Sequence, residues 1–97
     1  MIAIVKQLFK TGAVYVTCGV RTYMESGYAG EVMDCLNRHL SGDWGDLSHD
    51  DKRANDDAVK YNNDRICSAY NLSNGERIYV ITEEDHSVTT ALLVNEY

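Results

Sequence analysis

Residues 66–82, ICSAYNLSNGERIYVIT, decide the fold. Two β-branched and aromatic runs, residues 66–72 and 77–82, flank Ser73-Asn74-Gly75-Glu76, and Asn-Gly is the dipeptide that a two-residue type I′ hairpin turn favours. The sequence therefore predicts an antiparallel hairpin with Asn74 and Gly75 as its loop. That loop sets the register, which places these residues opposite each other: Tyr70 and Tyr79, Ser68 and Ile81, Ala69 and Val80.

Further β-prone segments lie on both sides of this hairpin in the sequence. After the acidic turn 83–86, residues 87–94 alternate in the way that is typical of a third strand, so the C-terminal part forms a meander. Near the start, residues 2–9 (IAIVKQLF) and 13–18 (AVYVTC) are separated by Lys10-Thr11-Gly12. These two runs indicate either another hairpin or one strand after a flexible lead, and the second run is the safer strand.

The middle of the chain is helical in pattern. Residues 20–26 form a short helix closed by Gly27, and residues 29–40 carry Val32, Cys35, Leu36 and Leu40 at helical spacing. Ser48 is an N-cap for a helix over residues 49–61, whose apolar stripe consists of Ala54, Ala58, Val59 and Tyr61. The expected fold class is α+β: an antiparallel sheet of about four strands, made of the N-terminal strand and the C-terminal three-stranded meander, with two to three helices packed on one face.

Size and charge limit the classes of function. The 97 residues, with 44% in the hydrophobic set and 25% charged, are expected to form one folded domain over 1–97. Net charge is −6, and it is uneven: residues 1–38 hold four bases and three acids, whereas residues 39–97 hold five bases and twelve acids. An acidic chain lacks the basic surface that phosphate neutralisation requires, so direct nucleic-acid binding is excluded.

Location and redox state follow from the first residues and the cysteines. The first twenty residues contain neither a long apolar segment nor a cleavage pattern, so we expect no membrane insertion and no export. Three widely spaced cysteines, Cys18, Cys35 and Cys67, fit reduced thiols acting as small core residues. These features predict a cytoplasmic protein.

Catalytic motifs with defined spacing do not occur in this sequence. One hypothesis is a divalent metal site made of His39, Asp43, Asp46 and His49. The alternative needs no metal: His39 lies near a helix end, where a partial positive charge suits the helix dipole, and His49 lies at a helix start. Ser48-His49-Asp50 contains the residue types of a hydrolytic triad, yet sequence neighbours cannot converge on one proton path. We therefore expect no enzyme activity, no cofactor and no metal.

The acidic segments are the candidate partner-binding site. Trp44 lies between two Gly-Asp pairs, either as an anchor that covers the core or as an interface residue. Solvated charge for solubility is the simpler interpretation of the acids, and steering onto a basic protein is the alternative. The candidate residues are Asp43, Trp44, Asp46, Asp50, Asp51, Asp56 and Asp57 in the central segment, with Glu83, Glu84 and Asp85 in the later turn.

Three stretches carry a resemblance: RHLSGDWGDL at 38–47, DDK at 50–52 and ITEEDHSVTT at 81–90. With these motifs the chain resembles a family of small bacterial proteins encoded on plasmids, integrative elements and phage-related segments, over about residues 36–97 and more weakly over 13–26. Residues 1–10 depart from the family's usual shorter start. The resemblance implies a genomic context and assigns no catalytic residue.

Three hypotheses of function follow. The first is a small acidic, non-enzymatic protein that inhibits a basic host defence protein, such as a CRISPR effector or restriction component, as an anti-CRISPR or anti-restriction protein. The second is a regulatory or structural module of the mobile element, and the third is a small metal-dependent enzyme using His39, His49 and the aspartates. A homodimer is left open by the sequence.

Overall fold

The computed structural model describes residues 7–97. The strands are β1 (Ala13–Val16), β2 (Ile66–Asn71), β3 (Arg77–Thr82) and β4 (Val88–Leu93), and the helices are α1 (Cys18–Tyr23), α2 (Ala29–Leu40) and α3 (His49–Tyr61). A π-helical turn, Met24–Tyr28, joins α1 to α2, and a 3₁₀ turn, Val94–Glu96, follows β4. The α+β class is confirmed.

The strands form one sheet in the order β1-β4-β3-β2. Pairs β2–β3 and β3–β4 are antiparallel, as the meander predicts, but β1 runs parallel to β4, so the sheet is mixed and not wholly antiparallel. The reason lies in the connection: β1 and β4 are joined through helices and a hairpin, and no tight turn forces them to be antiparallel.

The predicted hairpin register is wrong by one residue. Ala69 lies opposite Tyr79, and Tyr70 lies opposite Ile78. The Leu72 N–H donates to the Glu76 carbonyl at 2.8 Å, so the loop has three residues and Gly75 takes a positive φ of 89°. A three-residue loop with a left-handed glycine at its end replaces the two-residue turn, and it moves every pair by one.

All the helices lie on one face of the sheet, as predicted. Along α1, α2 and the neighbouring strands the core contains Val20, Tyr23, Val32, Cys35, Tyr70, Leu72, Ile78, Val80, Ala91 and Leu93. A second cluster at the other end contains Phe9, Trp44, Ala58 and Ile66, with Leu40, Leu47 and Val59 packed against it. Gly27, expected to end the first helix, has a φ of 105° inside the π-helical turn, and the chain continues directly into α2.

The N-terminal prediction is settled only in part. Of the run 2–9, residues 2–6 lie outside the described residues, and residues 7–9 are not a strand. The Leu8 N–H donates to the Leu40 carbonyl, and Phe9 is buried beside Trp44. The strand predicted over 13–18 is present, with Ala13–Val16 as its extent.

Helix α3 begins and packs through polar side chains. The Ser48 hydroxyl accepts from the Asp51 N–H at 3.1 Å, which confirms the N-cap. Ala58 is buried as expected, but Ala54 and Tyr61 are exposed and Asn55 is buried instead. The inward face of α3 is thus partly polar, and Asn55 has backbone partners on β2.

The cysteines are unpaired and differ in burial. Cys35 is buried in the core, where desolvation raises the pKa of its thiol to about 11. Cys67 is half-buried, whereas Cys18 is exposed at the first position of α1. The prediction of a core residue is right for Cys35 and wrong for Cys18, because the first position of α1 lies at the surface.

Candidate functional site

The loop before α3 uses two of the candidate aspartates in local ion pairs. Arg38 Nε lies 2.7 Å from Asp43 Oδ2, and Arg77 Nη1 lies 2.7 Å from Asp46 Oδ2. Hydrogen bonds from these guanidinium groups lower the pKa of both carboxyl groups. Asp43 and Asp46 therefore tie the loop to α2 and β3, and their charge is balanced on the spot.

Trp44 is part of the core. Its side chain is 4% exposed, and its ring packs against Phe9 and His39. The indole Nε1–H donates to Asp56 Oδ1 at 2.8 Å, so a third candidate aspartate also has an internal partner. The structure matches the interpretation of Trp44 as an anchor over the core, and the buried indole has little area to offer a partner.

Three further candidates lie on α3 itself. Asp50 and Asp51 are in its first turn, where negative charge suits the positive end of the helix, and Asp57 lies two turns later. All three are exposed. None takes part in the three ion pairs found among residues 7–97.

The remaining candidates form the β3–β4 turn at the far end of α3. Glu84 and Asp85 line a surface depression together with residues 62–64, which directly follow α3. Arg65 and Glu83 border the neighbouring depression. We define the acidic surface as the six exposed candidate carboxylates that neither the three ion pairs nor the Trp44 indole engages: Asp50, Asp51, Asp57, Glu83, Glu84 and Asp85.

Asp64 is a residue that the sequence interpretation missed. It lines both depressions beside the β3–β4 turn, and its φ of 62° belongs to the left-handed region. In the sequence, Asp64 follows the helix predicted over residues 49–61 and is not among the candidate residues. No local pattern in the sequence indicates that residues 62–64 and the β3–β4 turn lie side by side.

His39 lies in a sealed polar chain and not at a charged helix end. The imidazole is 0% exposed: Nδ1 hydrogen bonds with Ser68 Oγ, and Nε2 lies 3.0 Å from Thr82 Oγ1. Thr82 Oγ1 lies 2.7 Å from Thr89 Oγ1, and the Thr89 hydroxyl donates to the Thr11 carbonyl at 2.8 Å.

The chain of hydrogen bonds fixes Nε2 of His39 as a donor. Because Thr89 donates its one proton to Thr11, Thr82 must donate to Thr89 and accept from the Nε2–H of His39. Burial disfavours a second proton on the ring, so the imidazole is neutral and Nδ1 accepts from the Ser68 hydroxyl. Burial lowers the pKa of His39 to about 4, which corrects the expectation of a partial positive charge. The Ser68–His39 pair is closed to any substrate.

The metal hypothesis finds no geometric support in residues 7–97. No group of three or more His, Cys, Asp or Glu side chains in this range converges as metal ligands. His39 faces the core, Asp43 and Asp46 face their arginines, and His49 is exposed at the start of α3. The four proposed ligands therefore do not share one site.

Within the part of the chain that is described, no helix has the length and apolar character needed to cross a membrane. Comparison of the sequence and the fold with family models, curated proteins and solved structures gives no match.

Proposed function

We propose that this chain is a non-enzymatic protein of a mobile genetic element that binds and inhibits a nucleic-acid-binding host defence protein, of the CRISPR or restriction type. The contact is made by the acidic surface. One observation carries the proposal: these carboxylates are exposed and lie outside the ion pairs of residues 7–97, whereas Asp43 and Asp46 are balanced by arginines.

The partner is inferred from charge. A net charge of −6 on 97 residues repels nucleic acid and attracts a basic surface. A groove that holds nucleic acid is such a surface, since it must neutralise phosphates. An acidic protein that occupies the groove excludes the nucleic acid without any chemical step, and the attraction weakens as salt screens it.

The experiment measures defence in living cells. A targeted phage is plated on a host that carries a CRISPR or restriction system, with and without this chain. The chain is expected to raise the plating efficiency. The triple variant Asp57→Asn, Glu83→Gln, Glu84→Gln removes part of the acidic surface and is expected to lower the protection by at least about tenfold.

A matched control separates the effect of the acidic surface from the effect of a lower overall charge. The triple variant Glu25→Gln, Asp34→Asn, Glu76→Gln also removes one aspartate and two glutamates, all of them exposed and outside the acidic surface. It is expected to protect the phage as the unchanged chain does. Equal losses in both variants, or no protection by the unchanged chain, would count against the proposal.

A further inference from the structure

Within residues 7–97, strand β1 is an open edge of the sheet. It is the last strand in the order β1-β4-β3-β2, and all four of its residues are exposed, with Val14 at 49% and Tyr15 at 59%. Of the residues that the structure describes, none pairs with its outer side. An apolar edge strand of this kind is a template for another strand.

The backbone of β1 directs its unused groups outward in a regular pattern. The Ala13 N–H donates to the Ser87 carbonyl at 3.0 Å, and the Thr17 N–H donates to the Ala91 carbonyl at 3.1 Å. In a parallel ladder every second residue faces the neighbouring strand. Residues 14 and 16 therefore point both their N–H and their C=O groups away from β4.

Both ends of β1 are held in place. At one end, the Glu96 carboxylate accepts from the Thr17 hydroxyl at 2.6 Å and from the Gly19 N–H at 3.0 Å. At the other end, Gly12 packs so closely on Ser87 that a Cβ would collide with the Ser87 carbonyl. The edge is thus ordered before any partner arrives, which reduces the entropy lost on pairing.

The distribution of charge allows a second copy of this chain to pair with β1. Residues 11–17 contain no charged side chain and no proline, the devices that usually block an edge. The aspartate-rich helix α3 packs against β2, at the opposite edge of the sheet. A second copy of this acidic chain can therefore approach along β1 without bringing the two α3 helices together.

We propose that two copies of this chain associate by antiparallel pairing of their β1 strands about a two-fold axis at Tyr15. Val14 then lies opposite Val16 of the partner subunit, and these residues exchange both backbone hydrogen bonds because both point outward. Tyr15 lies opposite Tyr15 of the partner subunit in a non-hydrogen-bonded pair, where side chains are closest. The two four-stranded sheets become one.

The dimer is reversible, because a four-residue strand gives an interface at the low end of the size range, below about 1,200 Å². Sedimentation equilibrium of the full chain is expected to show a mass that rises with concentration from 10.9 kDa towards twice that value. Tyr15→Lys and Tyr15→Glu, measured separately, place like charges opposite each other, so each is expected to lower the association constant by about tenfold.

Mixing the two variants is the decisive step. Since residue 15 faces its own copy, the mixture places Lys opposite Glu and is expected to restore association as a heterodimer. Tyr61→Lys, at an exposed tyrosine on α3, is the control and is expected to associate like the unchanged chain. Unchanged thermal unfolding shows that each variant folds.

Three results would overturn the proposal. The first is a full chain that stays monomeric up to about 1 mM, where a complex of millimolar Kd would be substantially formed. The second is undiminished association of the Lys and Glu variants. The third is a mixture that associates no better than its components, because then residue 15 does not lie on the axis.

Discussion

The two edges of the sheet are finished in opposite ways. On β2, the outward Cys67 backbone is met by the Asn55 amide, which donates to the carbonyl at 2.8 Å and accepts from the N–H at 3.2 Å. Ala69 is met by the backbone of residues 44–46, with the Asp46 N–H 2.7 Å from its carbonyl. On β1, the outward groups of Val14 and Val16 have no such partners among the described residues.

This difference gives the loop before α3, and α3 itself, a structural role. The loop and helix that carry most of the central aspartates also cover the β2 edge, with charged groups outward and Trp44, Asn55 and Ala58 inward. Gly45 allows the close approach, since its φ is 77° and a Cβ there would collide with the Ala69 carbonyl. Aspartates in this segment therefore divide into those that hold the cover and those that remain on the surface.

Removing the anchor of the covered edge is expected to have the largest effect. Trp44→Ala deletes a buried ring and its bond to Asp56, so the free energy of unfolding should fall by about 3–5 kcal/mol. Tyr15→Ala, a comparable truncation on the open edge, should change it by about 0.5 kcal/mol or less in dilute solution. Urea unfolding of both variants tests the contrast, and similar losses would contradict it.

Acidification should weaken the polar chain that runs beneath the sheet between these edges. Unfolded His39 takes up a proton near its ordinary pKa of 6.5, but the buried imidazole stays neutral down to about pH 4. Between these values the unfolded state binds more protons, so the free energy of unfolding falls as pH falls, by up to about 3 kcal/mol. Urea unfolding at a series of pH values measures this slope.

The window from pH 6.5 down to about 5 separates His39 from the carboxyl groups. Hydrogen bonds lower the pKa of Asp43 and Asp46 from ordinary values of 3.8, so their contribution is lost only at lower pH. His39→Gln removes the ionisation while keeping a polar side chain and should flatten the slope in this window. A variant with the slope of the unchanged chain would show that another group is responsible.

A smaller loss is expected from the polar contact that closes the covered edge. Asn55→Ala leaves the Cys67 N–H and C=O without their partners, which should cost about 2 kcal/mol and speed hydrogen exchange at the Cys67 amide. Asn63→Ala, at an exposed asparagine before β2, is the control and should cost about 0.5 kcal/mol or less. Unchanged exchange at Cys67 would mean that Asn55 does not protect the edge.

The sequence predicts most elements because their signals are local. Strands β2, β3 and β4, helices α2 and α3, and the Ser48 cap depend on periodicity and capping within a few residues. The hairpin register failed because Asn74-Gly75 is compatible with two loop lengths, and only the Leu72–Glu76 hydrogen bond selects the longer one. The direction of β1 failed because nothing near it in the sequence specifies its neighbour.

The candidate site was less predictable because its charges depend on tertiary contacts. Asp43 and Asp57 look alike in sequence, yet Arg38 balances Asp43 while Asp57 stays on the surface. Buried polar residues were missed for the same reason. Asn55 and His39 are polar residue types that usually lie on the surface, but here they are buried because backbone or hydroxyl groups hydrogen bond with them. Periodicity counts apolar residues and cannot detect such pairs.

The smallest change in the free energy of unfolding is expected from a proline on the open edge, and it allows a direct comparison with a proline on the covered edge. Residues 16 and 67 both lie on edge strands with their N–H groups outward, but among residues 7–97 only the Cys67 N–H has a partner. Val16→Pro should therefore cost less than about 1 kcal/mol in dilute solution, since proline suits an edge whose N–H faces solvent. Cys67→Pro should cost about 2 kcal/mol or more, because it removes a bond and displaces Asn55. Equal costs in urea unfolding would mean that the two edges are equally free, and the contrast between them would then have no energetic basis.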